Sequence, residues 1–378
     1  MHGIKTNLLT TGTRAIAAVA TAVIGLVCTS ADADAATFPL DTPVLVTDVR
    51  AAIAKAGVAG TLAKSLAAIA DQASPVVVVV RVGTDADVAD QNLLAIGGTA
   101  GSSYTGAQAL LMAETATGVK PRILAAPGLD TQPVATALVS IAKKLRAMVY
   151  AAAVGDDQVE AATYAENFGD RELMLIWPNF TGIEGAWAGD AIARAAGLRA
   201  YIDETQGWHK TISNVPVQGV AGITKDVYFD ITDQSTDAQL LNDANVTTLV
   251  RSQGFRFWGN RTCSSEPLFS FESAVRTSQV LQDEIADGLR WAIDKPLTKG
   301  LIRDVVETIN ARLRTLISQG RVIGAKAWFD PALNSAADLA AGKLVIDYDF
   351  TPAAPLEGLE LNQRITDRYY ADFTQLAA

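Results

Sequence analysis

The feature that most constrains the fold is a series of apolar strands separated by amphipathic helices. Val76–Val82 (VVVVVRV) is almost entirely β-branched, which is typical of a strand buried on both faces of a sheet. Strands of similar character are predicted at Arg122–Ala126, Met148–Val154 and Glu172–Trp177, and a helix at Gln132–Arg146 separates the first two. Because strands joined through helices usually pair in parallel, we predict a three-layer α/β domain with a mostly parallel sheet.

The C-terminal third follows a different pattern. Two long helices are predicted at Phe269–Asp294 and Leu301–Ser318, and strands follow at Arg321–Phe329 and Leu344–Phe350. Leu359–Phe373 continues as an extended segment with alternating apolar residues. The sequence therefore predicts a second, α+β unit that ends in an arm.

Several local features are also predicted. Arg50–Gln72 is expected to be helical, and Tyr228–Ile231 to be a short strand in an otherwise irregular region. Asp157 stands at a strand-to-helix junction, where its carboxylate would cap the helix N-terminus, and Asp130 is given the same role.

Residues 14–36 allow two interpretations. Lys5 and Arg14 would form the basic start of a signal peptide, Ala15–Cys28 its apolar region, and Ala31–Ala35 its cleavage site. Thr21–Cys28 would equally serve as a buried core strand. A periplasmic α/β small-ligand-binding protein with an N-terminal signal peptide is therefore an alternative function.

Composition excludes several classes of partner and cofactor. The chain has 31 basic and 41 acidic residues, a net charge of −10, and no basic run suited to nucleic acid. Its two cysteines, Cys28 and Cys263, and two histidines, His2 and His209, are too few for a His- or Cys-rich metal site. We expect no cofactor, no metal, no bound nucleic acid and no membrane insertion.

Catalytic motifs are equally scarce. The sequence has no G-x-S-x-G elbow and no H-E-x-x-H helix. Gly57–Ser65 lacks the P-loop spacing, and the glycine-rich Ala95–Gly106 does not match a dinucleotide fingerprint. His209 is interpreted as an ordinary loop histidine. An α/β hydrolase is thus unsupported, and we predict a non-enzymatic protein without catalytic residues.

The most distinctive segment is Gly254–Ser265 (GFRFWGNRTCSS), which precedes the first long C-terminal helix. Together with Phe38–Val46, Glu184–Arg194 and Gly207–Val220, it resembles the family of contractile tail sheath proteins, which includes the sheaths of myophage tails and R-type pyocins. We therefore expect this segment to form a seam between two structural units. Its candidate seam residues are Phe257, Trp258, Asn260, Arg261 and Thr262.

The resemblance implies a structural subunit that forms hexameric rings stacked helically around an inner tube. It implies an N-terminal arm (1–20), an outer α/β domain (21–250), an inner α+β domain (251–358) and a C-terminal arm (359–378). The arms would add strands to neighbouring subunits, and the other partners would be the tube, baseplate and tail terminator proteins. The virion tail, assembled in the host cytoplasm, is the expected location. The candidate arm residues are Ile4, Leu8, Leu9, Ile16, Leu359, Leu361, Ile365, Tyr369 and Phe373.

Overall fold

A computed structural model describes residues 16–370, and its largest feature is an eight-stranded sheet. The strand order in this sheet is β13-β12-β8-β7-β6-β1-β3-β2. The strands in chain order are β1 (Ile24–Thr29), β2 (Pro43–Val46), β3 (Val77–Val82), β4 (Thr99–Ala100), β5 (Ser103–Tyr104), β6 (Ile123–Ala125), β7 (Met148–Ala152), β8 (Leu173–Ile176), β9 (Phe180–Gly182), β10 (Gly185–Ala186), β11 (Val220–Ile223), β12 (Val246–Arg251), β13 (Phe255–Trp258), β14 (Val322–Trp328) and β15 (Asp347–Pro352).

The six inner strands of this sheet are parallel, and the two edge strands are antiparallel to their neighbours. In β1 and β3 every residue is buried, as expected for strands covered on both faces. The predicted α/β fold with a mostly parallel sheet is confirmed.

Helices cover both faces of the large sheet. Leu62, Leu66 and Ile69 of α2 pack with α7 on one face, and α5 contributes Val134 and Leu138 to the core on the other. The α-helices are α1 (Val49–Ile53), α2 (Leu62–Gln72), α3 (Val88–Ile96), α4 (Ala113–Thr117), α5 (Gln132–Leu145), α6 (Gln158–Ala165), α7 (Asp190–Thr205), α8 (Asp237–Asp243), α9 (Glu272–Gly288), α10 (Lys299–Ser318) and α11 (Ala336–Ala340). A seven-residue 3-10 helix lies at Gly106–Met112, and shorter 3-10 turns lie at Pro267–Phe269, Arg290–Ala292 and Pro331–Leu333.

The sequence predicts one continuous helix at Arg50–Gln72, and this prediction was wrong. The structure has two helices there, α1 and α2, separated by a loop. Between them, Gly60 has φ 121°, and a Cβ at this position would lie 2.4 Å from the carbonyl oxygen of Thr29. The carboxylate of Asp32 also accepts hydrogen bonds from the backbone N–H groups of Val58 and Ala59. A close approach of backbone to backbone therefore interrupts a composition that favours a helix.

The interpretation of Ala15–Cys28 as the apolar region of a cleaved signal is contradicted by β1. This strand is hydrogen-bonded between β3 and β6 in the middle of the sheet. Its residues Ile24, Leu26 and Cys28 are fully buried. Removal of the strand would expose the core on both faces. Along residues 16–370, no helix is both long and apolar enough to cross a membrane.

The region before residue 250 is more ordered than its sequence indicates. Tyr228–Ile231 is not a strand, whereas β11 and β12 are. The strand β12 pairs in parallel with β8, and β13 pairs with β12, so the large sheet continues past residue 251 to Trp258. The expected boundary between residues 250 and 251 thus falls inside β12, one residue before the end of that strand, in a sheet that continues into β13.

The C-terminal unit consists of α9, α10, β14 and β15. Both predicted helices and both predicted strands are present, and β14 and β15 form an antiparallel two-stranded sheet. A third apolar core lies between this sheet and the two helices. Its buried members include Leu281 of α9, Ile309 and Leu313 of α10, and Val322 of β14.

Candidate functional site at the seam between the sheet and the C-terminal unit

The first predicted seam residues anchor the segment in the large sheet. Phe257, in the edge strand β13, is fully buried, and its ring meets that of Phe180 edge-on with centroids 5.4 Å apart. Trp258 makes a similar contact, at 4.8 Å, with Phe229. Since aromatic rings bury large areas in fixed geometries, these two residues fix where the chain leaves the sheet.

The next residues connect the sheet to α9 through the backbone. The backbone carbonyl of Asn260 accepts a hydrogen bond from the N–H of Glu272, at 3.0 Å. The hydroxyl of Thr262 donates to the carbonyl of Phe269, and Cys263 donates its N–H to Leu173 in β8. The chain therefore crosses from β13 to the start of α9 along a path fixed on both sides.

Arg261 adds a contact with Glu357, in the segment that follows β15. Its Nε and Nη2 atoms donate to the two carboxylate oxygens of Glu357, at 2.9 and 2.6 Å. Its guanidinium also lies over the ring of Phe271, 5.4 Å from the centroid. Hydrogen bonding to Glu357 raises the pKa of Arg261 above its ordinary value. The planar, two-pronged geometry is one that lysine cannot reproduce.

A second set of contacts, which the sequence did not reveal, lies beneath the seam. We call it the buried ion network, and it consists of Tyr150, Arg199, Asp203, Glu272 and Arg276. Arg199 contacts Asp203 at 2.8 Å and Glu272 at 3.2 Å, and all three side chains are fully buried. Arg276 also contacts Asp203, and the hydroxyl of Tyr150 donates to Glu272. The network joins β7, α7 and α9.

The network has two positive and two negative groups, which makes it neutral as a whole. Burial acts to lower the pKa of Arg199, but the carboxylates of Asp203 and Glu272 outweigh it and raise that pKa. Arg199 also donates to the backbone carbonyl of Lys210, at 2.6 Å. Because each buried charge has an opposite charge beside it, the cost of removing the charges from water is offset only while the network is complete.

Further along α9, two more buried carboxylates hold the helix. Asp283 contacts Arg122, Arg146 and Lys120 of the α/β domain. The next residue, Glu284, forms a two-pronged pair with Arg312 of α10. The single helix α9 thus carries ion pairs both to the α/β domain and to α10, and it is the structural core of the seam.

The predicted arm residues have different environments. Leu359, Leu361, Ile365 and Tyr369 are 71%, 81%, 98% and 61% exposed, in a segment whose described part has no α-helix or strand and has a 3-10 turn at residues 368–370. Ile16 is instead buried, against Gly288 at the end of α9, so it is not available to a neighbour. The remaining arm candidates lie outside the described residues; they are Ile4, Leu8, Leu9 and Phe373.

The side chains best suited to nucleophilic or acid–base chemistry are two buried thiols and one half-buried imidazole. Burial raises the pKa of the Cys28 thiol to about 11 and that of Cys263 to about 12, which disfavours the reactive thiolate. Burial and Arg321 lower the pKa of His209. No group of three or more His, Cys, Asp or Glu side chains able to hold a metal ion is found between residues 16 and 370.

The two predicted helix caps had different outcomes. Asp157 caps α6, since its carboxylate accepts hydrogen bonds from the N–H groups of Val159 and Glu160. Asp130 does not cap α5, and that prediction was wrong. Its carboxylate accepts from the N–H of Ala152 at the end of β7, and burial raises its pKa to about 6. Asp130 therefore ties a loop to the sheet.

Comparison with protein families gives matches along most of the chain. Residues 21–82 match the tail sheath protein Gp18 domain III N-terminal region. Residues 102–263 match the phage tail sheath protein central domain, and residues 264–366 match the phage tail sheath C-terminal domain. The division between the last two models lies immediately after Cys263, within the seam.

Individual relatives agree with these matches. The chain is 52% identical to the tail sheath protein of Escherichia phage P2, over 98% of this chain and 97% of that protein. It is 48% identical to the major tail sheath protein of Serratia phage KSP20, over 98% and 96%.

Solved structures with the same fold come from contractile injection systems. The contracted sheath complex of an extracellular contractile injection system has a TM-score of 0.72 at 16% identity, covering 97% of this chain and 98% of that one. The contracted helical sheath of the anti-feeding prophage gives the same TM-score and identity, with 97% and 99% coverage. The alternative of a periplasmic ligand-binding protein receives no support from these comparisons. The chain belongs to the phage tail sheath protein family.

Proposed function

We propose that this protein is the structural subunit of a contractile tail sheath. It polymerises as stacked hexameric rings around an inner tube, and the sheath contracts to drive the tube through the envelope of the target cell. The protein has no catalytic role in this process. The proposal is supported by the family membership and, in the described part of the chain, by an incomplete sheet and by exposed apolar residues in the segment that follows it.

The incomplete sheet is the observation that carries the proposal. Within residues 16–370, β14 and β15 pair only with each other, so each strand has one edge without a strand partner. One face of the pair packs on α10 and α9 through Val322 and Ala327. Two strands alone make a marginal sheet, and open edges are templates for a further strand. The C-terminal unit is therefore suited to accept strands from neighbouring subunits.

The C-terminal arm has the properties of such a strand. Four of its exposed apolar residues, Leu359, Leu361, Ile365 and Tyr369, have odd numbers, so an extended conformation would place them on one face, whereas the exposed Tyr370 would lie on the other. Strand addition would supply backbone hydrogen bonds, and the apolar face would set the register. Exposure of four large apolar side chains in one segment is unfavourable unless a partner covers them.

The seam gives the subunit the rigidity that contraction requires. Charged contacts from α9 reach β7, α7 and α10, so the α/β domain and the C-terminal unit move together. Contraction is then a rearrangement of rigid subunits that remain connected by their arms, driven by closer packing. The proposal includes the inner tube, baseplate and tail terminator proteins as partners. It places the sheath in the virion tail, after assembly in the host cytoplasm.

Deletion of residues 359–378 tests the role of the arm. We expect the shortened chain to remain a soluble monomer, whereas the full chain forms tubes or sheath-like cylinders in negative-stain electron microscopy. Normal cylinders from the shortened chain would contradict the proposal.

A finer variant keeps the length of the arm. Substitution of Leu359, Leu361 and Ile365 with serine should prevent assembly, because these residues form the apolar face. The matched control replaces three residues of the opposite face with serine and should assemble normally; these are Glu360, Asn362 and Arg364. Equal behaviour of the two triple variants would show that the apolar face does not direct assembly.

A further inference from the structure

We infer that a small cavity between α9 and the α/β domain is a binding site for a single chloride ion. The inference goes beyond the proposed function, because it concerns the subunit on its own. The cavity lies at the edge of the large sheet where β6 and β7 begin, next to the ion pairs of Asp283. We call it the arginine cavity, and its polar lining includes Arg122, Arg146, Arg276, Gln279 and Asp283.

The arginine cavity is small and mostly shielded from solvent. The centre of a water-sized sphere has about 10 Å³ in which to move, which is room for one water molecule or one monatomic ion. Arg122, Arg276 and Gln279 are buried. The side chain of Arg146 is 37% exposed, and it marks the entrance from solvent. The cavity therefore has no room for phosphate or another polyatomic anion.

The charges beside the cavity do not balance. The carboxylate of Asp283 is shared by three cations, which are Arg122, Arg146 and, at 3.7 Å, Lys120. Burial lowers the pKa of Lys120, and the repulsion from Arg122 that adds to this effect exceeds the attraction to Asp283. The neighbouring buried ion network is neutral and compensates none of this charge. The surplus is two positive charges, or one if Glu114, which acts weakly on Lys120, is counted.

This surplus does not follow from composition, since the whole chain has a net charge of −10. It arises because the start of β6, the end of α5 and the side of α9 each bring an arginine to one place. Arg146 reaches this position from a left-handed backbone conformation, with φ 52°, which is uncommon for a residue other than glycine. Such conformations occur frequently at binding sites.

Several hydrogen-bond donors around the cavity also lack acceptors. Nε of Arg276 is buried and has no hydrogen-bond partner in the described chain. Arg122 donates through Nη1 alone and Arg146 through Nε alone, so their other N–H groups have no acceptor among residues 16–370. A buried donor without an acceptor is destabilising, and such atoms generally indicate a bound water or ion.

Chloride satisfies both requirements at once. It accepts hydrogen bonds from several N–H groups, and hydrogen bonds between charged partners are stronger than those between neutral ones. Its negative charge also opposes the surplus beside Asp283. A water molecule would accept hydrogen bonds but leave the surplus uncompensated, and a metal cation would be repelled.

The test is the unfolding of the unassembled full chain in urea, while sodium chloride replaces sodium gluconate at constant ionic strength. Gluconate is too large for the cavity, and urea adds no chloride. A ligand that binds only the folded chain lowers the equilibrium constant for unfolding by about elevenfold at roughly ten times its Kd. We therefore expect the urea midpoint to rise as chloride replaces gluconate.

Three variants locate the effect. Arg146→Gln removes a charge and N–H donors at the entrance, and it should weaken the apparent affinity for chloride by about tenfold or more. Lys120→Met removes one surplus charge without changing the lining, and it should weaken that affinity by a smaller factor. The matched control is Arg290→Gln, which removes the exposed Arg290–Asp287 pair near the end of α9 and should keep the wild-type chloride dependence.

Two results would overturn the site. Equal midpoints of the wild-type chain in chloride and in gluconate would mean that the cavity holds water alone. A chloride dependence that is unchanged in Lys120→Met and Arg146→Gln, or in Lys120→Met alone if Arg146→Gln does not fold, would place the ion elsewhere on the chain. Neither measurement involves assembly, so failure of the chloride site is distinct from failure of the proposed function.

Discussion

Replacement of Arg199 with methionine removes one of the two cations of the buried ion network and keeps a side chain of similar length. The remaining groups, Asp203, Glu272 and Arg276, then have a net charge of −1 in a fully buried site. Breaking a buried ion pair by removal of one partner costs about 3–5 kcal/mol of folding free energy. Since the backbone carbonyl of Lys210 also loses its donor, we expect a loss of about 4 kcal/mol.

Denaturant unfolding of the unassembled chain measures this loss, with Arg314→Met as the control. Arg314 pairs with Glu307 on the exposed face of α10, and such pairs contribute about 0–1 kcal/mol. A second variant combines Arg199→Met with Glu272→Gln, which leaves Arg276 and Asp203 as a neutral pair. This double variant should be less destabilised than the sum of its two single changes, by at least about 1 kcal/mol.

The reasoning would be refuted if Arg199→Met unfolded at the same denaturant concentration as Arg314→Met. It would also be refuted by strict additivity of Arg199→Met and Glu272→Gln, since additivity would mean that the two charges do not interact. Either result would indicate that the buried ion network contributes little to the attachment of α9 to the α/β domain.

Two further predictions concern single residues. Gly197→Ala in α7 would ordinarily stabilise a helix, but its Cβ would lie 2.9 Å from the Cα of Ile69, so we expect a loss of about 1–3 kcal/mol in denaturant unfolding. Burial and Arg321 lower the pKa of His209, so the unfolded chain binds the proton more tightly; stability should fall as pH drops below about 6.5, the ordinary histidine pKa. Unfolding curves at several pH values should show a shallower decline below that pH for His209→Gln, and an identical slope would contradict the assignment.

The sequence determined the fold class and the order of the main elements because strand and helix patterns are local. The β-branched run of β3 and the helical spacing in α10 depend only on neighbouring residues. The seam was predicted differently, from the resemblance of a short segment around Trp258 to a known family. In the structure this segment buries Phe257 against Phe180 and continues to the start of α9, and its role as a seam stays a prediction.

Local patterns failed where a distant part of the chain decided the outcome. Asp130 has the sequence context of a helix cap, but the end of β7 offers its carboxylate the N–H of Ala152. The Ala-rich stretch after Arg50 has the composition of one helix, but the close approach of Gly60 to Thr29 interrupts it. In both cases a partner more than 20 residues away in the chain supplied the stronger contact.

The buried ion network shows most clearly what only the tertiary structure decided. Arg199 and Glu272 are 73 residues apart, and each alone resembles an ordinary surface charge on a helix. They are buried together because α7 and α9 pack at one end of the sheet, where each supplies the opposite charge that the other needs. Periodicity along the chain can place a charge on a helix, but only the packing of helices determines whether that charge faces water or a partner.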